Sequence, residues 1–521
     1  MISRMESPRP HVCVVGAGVS GLRCAEVLLQ NGFKVTILEA RDRIGGRICQ
    51  SDKLGYRVDL GPNWIHTSDA EGRFPILDLA RKTKTPLHSW NDKQNIYSSD
   101  GTLLPAGTTD RLSSILWESI ESAISYSAEF GKDIPETASL RDYLKDKAAE
   151  KLPGQEEDQE LLMKMAEMWG AYIGDPLERQ SLKFAWMEEC CSGDGETFVE
   201  TTWEAILDEM AKLPRTLASM RLGQKVVGVQ TAERDVEGSQ AIVSTESGEK
   251  LEFDEVLMTT PLGWLKRNKE VFQPLLPERL LTGIDGVSVG HLEKVHPALF
   301  PHILSLYLTE PQVYITFPSA FWIDVPTQNA DPTLSPASLA KINDTFPGYT
   351  NWLSPSYATS TNPQRLPIEC WNLASFTPPN AHPTLIFYLY GPCSAYITNL
   401  VHGASPAEHH ALLSSFFLPY ISLLPNYTGS NPECEIRAIL STEWQKDELS
   451  GYGSYANFQV GVSDASGDVE AMRRGVPERR LWFAGEHCAP FEECGTVAGA
   501  YLSGEGVALR MLEVYGIETK I

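Results

Sequence analysis

The 521-residue sequence predicts a mixed α/β and α+β protein containing a Rossmann-like dinucleotide-binding domain. Three observations carry that expectation. Residues 11–40 read as strand, glycine-rich turn, helix and strand; apolar residues alternate with polar ones along two stretches between 222 and 260; and the chain is too long for one ordinary core, so two domains, consecutive or interleaved, are expected.

The first element is a buried strand, Val12 to Val15. The turn that follows puts Gly16, Gly18 and Gly21 in GxGxxG register: Gly16 permits the tight turn, Gly18 lets backbone approach a pyrophosphate, and Gly21 lets helix and strand pack closely. The helix runs to about Gln30, and its N-terminus offers unpaired N–H groups and a positive dipole end to phosphates. A second strand, Lys34 to Leu38, ends in Glu39, 18 positions after Gly21, where a carboxylate can accept hydrogen bonds from two ribose hydroxyls. EARDRIGGRI then supplies Arg41, Arg43 and Arg47 around Gly45 and Gly46, a second cationic turn able to meet the same pyrophosphate. NAD sites seldom need that clamp, which favours FAD.

Here the sequence resembles the flavin-containing amine oxidases, a family that includes monoamine oxidases, polyamine oxidases and histone-lysine demethylating oxidases. The resemblance continues through DLGPNWIHT, LMTTPLGWLK, WQKDELSGYGSYANFQVG and LWFAGEHCAPFEECGTVAGAYLSGEGVAL, and so spans the chain. It implies a discontinuous, Rossmann-like FAD-binding domain made of 1–80, 211–289 and 447–521, interleaved with a substrate-binding domain made of 81–210 and 290–446. By the same resemblance Gly61, Asn63, Trp64 and His66 lie near the flavin and its tunnel, and the backbone of Val226 meets the adenine. Glu486 binds the pyrophosphate or ribityl region, and the N–H groups of Thr496 and Val497 face the pyrimidine end of the ring. Lys294, in GHLEKV, corresponds to a lysine that contacts flavin N5 through an ordered water, and is the leading catalytic candidate. His66 is a substrate-holding candidate and Tyr455 an aromatic wall that guides an amine by apolar and cation–π contact. Thr496 stands where several relatives carry a second aromatic wall, which puts a two-ring cage of the monoamine oxidase kind in doubt. SGYGSY replaces the SGGCY whose cysteine tethers FAD in monoamine oxidases, so FAD is expected to be held non-covalently.

The remaining elements follow in order. TTDRLSSILWESIESAISYSAEF has a helical apolar stripe behind Thr and Asp N-cap candidates, with Trp117 and Tyr126 expected in the core. KLPGQEEDQE reads as a solvated loop leading into another helix, and Asp175, Glu188 and Glu189 are carboxylates available to a distal ammonium. LGQKVVGVQ and QAIVSTESGEKLEFDEVLMTT read as half-buried strands with a turn at SG. The Pro-, Ser- and Asn-rich stretch 325–367 reads as a surface excursion.

Residues 295–312, VHPALFPHILSLYLTEPQ, fit none of their surroundings. Deleting them gives GHLEKVYITFPSAFW, a continuous strand-like run. Valine codons begin with GT and a glutamine codon can be CAG, so the 18 codons are compatible with a retained intron. An insertion within a buried strand is expected to break its ladder.

Composition narrows the function classes. A net charge of −24 disfavours nucleic acid and favours small cationic partners, and no apolar run is long enough to cross a membrane. The ten cysteines show no metal-like spacing, so no metal is expected. With only ten residues before the first strand and a terminal ETKI, a cytoplasmic location is expected. The expected activity is FAD-dependent oxidation of an amine by oxygen, giving an imine, then an aldehyde, and hydrogen peroxide, most like polyamine oxidase. The alternatives are an oxidase tailoring a specialised metabolite, a histone-demethylase-like oxidase and a catalytically impaired FAD-binding protein.

Overall fold

The computed structural model describes residues 9–66, 74–90, 93–191, 197–236, 238–290, 312–323 and 346–518. Lys294 and residues 295–311 lie outside the described residues, as does the side chain of Glu189.

Strand His11–Val15 occupies the middle of a five-stranded parallel sheet ordered Leu481–Phe483, Glu255–Met258, His11–Val15, Lys34–Leu38, Ser219–Arg221. Residues Val12 to Val15 and Glu255 to Met258 are buried throughout, as a parallel strand covered on both faces requires. Helix Val19–Gln30 lies on this sheet beside the last helix, Val497–Val514, and the two are tied by a buried ion pair, Arg23 Nε to Glu505 Oε2 at 2.9 Å. The sheet thus draws strands from three separated stretches of chain.

The mid-chain alternation forms antiparallel strands. Ala241–Thr245 pairs with Val226–Gln230 on one side and Lys250–Phe253 on the other, and its residues alternate strictly between buried and half-buried. The turn between 245 and 250 is closed by Gly248, which donates to Thr245 O and has φ +87°.

A six-stranded sheet runs Ala438–Ser441, Gln312–Thr316, Thr384–Tyr388, Ile368–Asn372, Tyr349–Trp352, Gln94–Tyr97, antiparallel except for its last pair. One face, with Val313, Ile315, Leu385, Phe387 and Trp352, packs under helices Gly391–Val401 and Pro406–Ile421. The alternate residues face the other way, toward the first sheet's end. Helices Ala106–Phe130, Leu140–Lys151 and Glu156–Ala166 share a separate apolar cluster. Among the described residues no helix is long and apolar enough to cross a membrane.

Several sequence expectations are corrected. The long helix starts at Ala106 after Pro105, so the Thr and Asp read as caps lie inside its first turns; a proline at the entry sets φ without needing a donor. Tyr126 is 39% exposed rather than in the core, where it stacks with Tyr143. The acidic run after Gly154 is helical, because Glu156, Glu157 and Asp158 complement the N-terminal end of the dipole. Within the expected surface excursion, Tyr349–Trp352 is a buried strand. The ladder of Gln312–Thr316 is intact on both sides; residues 291–294, on the other side of the suspected insertion, lie outside the described residues.

Candidate active site

A cavity opens at the C-terminal ends of the parallel strands, where Val15, Leu38, Thr259 and Gly485 line it, and extends to the six-stranded sheet. That end of a parallel sheet is where α/β folds bind nucleotides.

The three motif glycines are distinguished by space. A Cβ at Gly16, which has φ +110°, would come within 2.4 Å of Thr259 Oγ1. One at Gly21 would fall 2.1 Å from the Gly16 carbonyl oxygen, whereas one at Gly18 would meet no chain atom within 4 Å and faces the cavity. Glu39 accepts from Ala17 N at 2.7 Å and Arg41 N at 2.8 Å, one bond per carboxylate oxygen, which leaves each a further acceptor site.

The arginines separate. Arg41 lines the cavity but pairs with Asp447 at 2.6 Å, and Arg47 lines it while donating to Glu486 Oε1 at 3.0 Å. Arg43 donates to the carbonyls of Ile44 and Ile48 and is not on the wall. Glu486 also accepts from Ala456 N at 3.0 Å, so it clamps the GSYAN segment to the strand end. Gly61 has no room for a side chain, since a Cβ would lie 2.0 Å from Arg47 O. Asn63 is buried and fully engaged: its amide donates to Tyr314 OH at 3.1 Å and its oxygen accepts from Tyr388 OH at 2.8 Å and Gln312 Nε2 at 3.0 Å. The Trp64 ring packs on Trp371 at 4.7 Å and Trp90 at 5.4 Å. Val226 lines the cavity from its strand.

At the far end Tyr455 and His66 are on the wall, and Tyr455 OH donates to Tyr172 O at 3.0 Å. Burial raises the Glu493 carboxyl, while a hydrogen bond from Thr496 and the charge of His66 oppose it. Thr496 caps the last helix through Gly499 N at 2.8 Å, and its own N–H donates to Glu493 O at 3.3 Å. Of the two N–H groups expected to face the flavin, that of Thr496 is therefore engaged, and Val497, the first helical residue, supplies one outside the helical ladder. Asp175 is buried in bonds from Asn457 Nδ2 at 2.8 Å and Gln459 Nε2 at 2.6 Å and is not on the wall, so it organises the GSYANFQ strand instead of meeting a ligand; Glu188 does line the cavity.

Sequence reasoning missed Gln312, Glu369, Trp371 and Tyr388, all on the wall. Each sits in an otherwise apolar strand, and only the sheet's register shows that they share a face.

Comparison with known proteins decides the family. The family model for flavin containing amine oxidoreductase matches residues 19–303 and 312–512. The chain belongs to the flavin-containing amine oxidoreductases. This flavin-containing amine oxidoreductase is 25% identical over 517 residues to a protein described as probable polyamine oxidase 4 of Arabidopsis thaliana, covering 97% of this chain and 87% of that protein. It is 25% identical to polyamine oxidase 3 of Oryza sativa subsp. japonica, covering 98% and 91%. It is also 26% identical to lysine-specific histone demethylase 1 homolog 2 of Arabidopsis thaliana, of which it spans only 59%. A solved putrescine oxidase carrying a redesign of cofactor binding shares the fold, with a TM-score of 0.66 over 97% of this chain and 99% of that one, at 17% identity.

The cavity suits the oxidoreductase's cofactor, FAD. The open side of Gly18 admits a pyrophosphate against backbone, Glu39 retains acceptor sites, and two buried wall hydroxyls, Thr260 Oγ1 and Ser454 Oγ, have no hydrogen-bond partner among the described residues. Buried polar atoms of this kind are normally satisfied, here by a ligand with many acceptors.

Proposed function

We propose that this amine oxidoreductase acts on a di- or polyamine with oxygen as the acceptor, and that it holds FAD non-covalently. The observation that carries the reading is the continuity of the cavity: the GxGxxG turn and Glu39 form one end, and a compartment walled by Tyr455, Tyr388, Trp371 and Trp64 forms the other. Bound FAD supplies the redox chemistry, two-electron oxidation of the amine's C–N bond, with oxygen leaving as hydrogen peroxide.

Gly18, Glu39, Arg47, Glu486 and Val497 would hold the cofactor, with Arg41, Gly61, Asn63, Trp64 and Val226 completing its walls. The aromatic residues exclude water and favour an alkylamine by apolar and cation–π contact. Tyr455, anchored through Tyr172, orients the substrate, and His66, beside Glu493, holds or moves a proton on the same far wall. Lys294 keeps the catalytic role its motif implies. Ser454 stands within SGYGSY on the wall, and the one wall cysteine among the described residues, Cys494, is kept a thiol by burial, which supports non-covalent attachment.

The discontinuous division at 1–80, 211–289 and 447–521 against 81–210 and 290–446 is part of this reading, supported by the strand content of the two larger sheets. So is a cytoplasmic location. Anaerobic addition of spermine, spermidine and their acetylated forms is expected to bleach the flavin of the purified protein, and air to restore it with release of peroxide. A yellow protein bleached by no amine would sink the proposal.

A further inference from the structure

One segment of the cofactor cavity's wall is hydrogen-bonded to the rest of the molecule by side chains alone. Residues 444–452 form two short 3₁₀ turns, Trp444–Lys446 and Glu448–Ser450, and Trp444 and Leu449 line the cavity. The backbone bonds of the segment close on itself and on Glu443: Lys446 N donates to Glu443 O, Asp447 N to Trp444 O, Gly451 N to Glu448 O, and Ser450 N and Tyr452 N to Asp447 O. Among the described residues none joins it to another element. By contrast, Leu38 and Val226 on the same cavity wall stand in sheet strands, and Gln224 N donates to Glu39 O at 2.7 Å.

Two ion pairs hold the middle of the segment down. Arg41 Nη2 meets Asp447 Oδ2 at 2.6 Å, and Lys225 Nζ meets Glu448 Oε1 at 2.9 Å. Arg41 and Lys225 come from separate stretches of chain, and both line the cavity next to Glu39, which ends the second parallel strand. A carboxylate there marks the nucleoside end of a dinucleotide site. The four side chains of these pairs are between 18% and 38% exposed, so water and salt reach them. A further contact, Lys446 Nζ to Asn399 Oδ1 at 3.1 Å, is exposed.

The two ends of the segment are fixed without charge. Trp444 Nε1 donates to Leu60 O at 3.0 Å, and Gln445 Nε2 to Ser394 Oγ at 2.8 Å. At the other end the backbone of Gly451 lies against that of Gly263, where an added Cβ would come within 1.9 Å of Gly451 O. The segment is thus pinned at both ends and latched by charge between them.

We propose that residues 444–452 are a strap that lifts to admit and release FAD, and that Asp447 and Glu448 latch it onto Arg41 and Lys225. The inference rests on the non-covalent reading above and assigns these two carboxylates, neither of which lines the cavity, to cofactor retention. Lifting breaks two ion pairs and side-chain hydrogen bonds but no sheet ladder, which makes it a local opening and leaves the core folded. It also frees two cations beside the site. The molecule's net charge of −24 repels an anionic dinucleotide, so a local pair of uncovered cations draws the diphosphate in, and closing re-forms both pairs.

The test follows flavin fluorescence after dilution of the holoenzyme, which reports release without turnover. Asp447→Asn combined with Glu448→Gln is expected to speed release about tenfold, roughly threefold for each partly exposed pair, and to leave the melting temperature of the flavin-free protein unchanged. Wild-type release should quicken between about 0.05 and 0.5 M salt, and release from the variant should respond less. Glu118→Gln combined with Glu160→Gln removes two carboxylates from exposed ion pairs elsewhere and should release flavin at the wild-type rate. Equal rates for the latch variant and wild type, or a control as fast as the latch variant, would overturn the inference. If the latch variant does not fold, wild type decides: release that salt does not hasten overturns the strap. Colour that stays on the acid-precipitated protein overturns non-covalent attachment and the strap with it, whereas colour that acid frees and salt does not hasten overturns the strap alone.

Discussion

At Gly18 and Gly21 one added methyl group has opposite meanings. Gly21→Ala would drive a Cβ into the Gly16 carbonyl 2.1 Å away, forcing helix and strand apart, and a loss of about 2–3 kcal/mol is expected from such overpacking. Gly18→Ala meets no chain atom, so the protein should keep its flavin-free melting temperature while losing most of its flavin. Measuring flavin content and melting temperature together checks both, and a Gly18→Ala protein with full flavin content would remove that glycine from the phosphate site. The glycine spacing was readable from the sequence because each position answers to local backbone geometry. Glu369 was not, because a single acid between Ile368 and Cys370 gains meaning only when the register sets it opposite Tyr388.

Among the elements, the turn Glu486–Cys488 joins the last parallel strand to the site and buries His487, whose ring is 1% exposed with neither nitrogen hydrogen-bonded among the described residues. Burial lowers this imidazole to about 4. An unfolded histidine protonates near 6.5, so between about 6.5 and 4 the unfolded chain binds the extra proton and stability falls as pH falls, by up to about 1.4 kcal/mol per pH unit. His487→Gln is expected to flatten the melting-temperature profile over that range, and an unchanged slope would assign the acid limb to other groups. The SGYGSY segment carries a second expectation: acid precipitation should release the yellow chromophore into the supernatant, and colour that stays with the pellet would point to a covalent link. The helices were misread mainly at their ends. Pro105 and the acidic turn at Glu156 are start signals that lose to a stronger-looking polar stretch when only composition is weighed.

For the whole molecule the open issue is residues 295–312. Between its two matched segments the family model leaves only 304–311 unmatched, while 295–303 fall within its first matched segment, and the described strand begins at Gln312. In a chain lacking 295–312, Lys294 directly precedes Val313 and is expected to take the ladder position of Gln312 opposite Tyr388, on the cavity wall. That shortened protein should bind flavin and be bleached by amines faster than the 521-residue form. If it is insoluble or slower, or if a peptide from within the segment is found in the native protein, the intron reading fails.

What the sequence alone determined was the cofactor class and the order of the first three elements, because the βαβ turn is a short-range structure whose glycines, helix start and terminal acid lie within forty residues. What only the tertiary structure decided was the substrate side. The six-stranded sheet is assembled from strands more than 300 residues apart, and its polar row, Gln312, Tyr388, Glu369 and Asn351, exists only because period-two alternation and register put residues from four strands on one face.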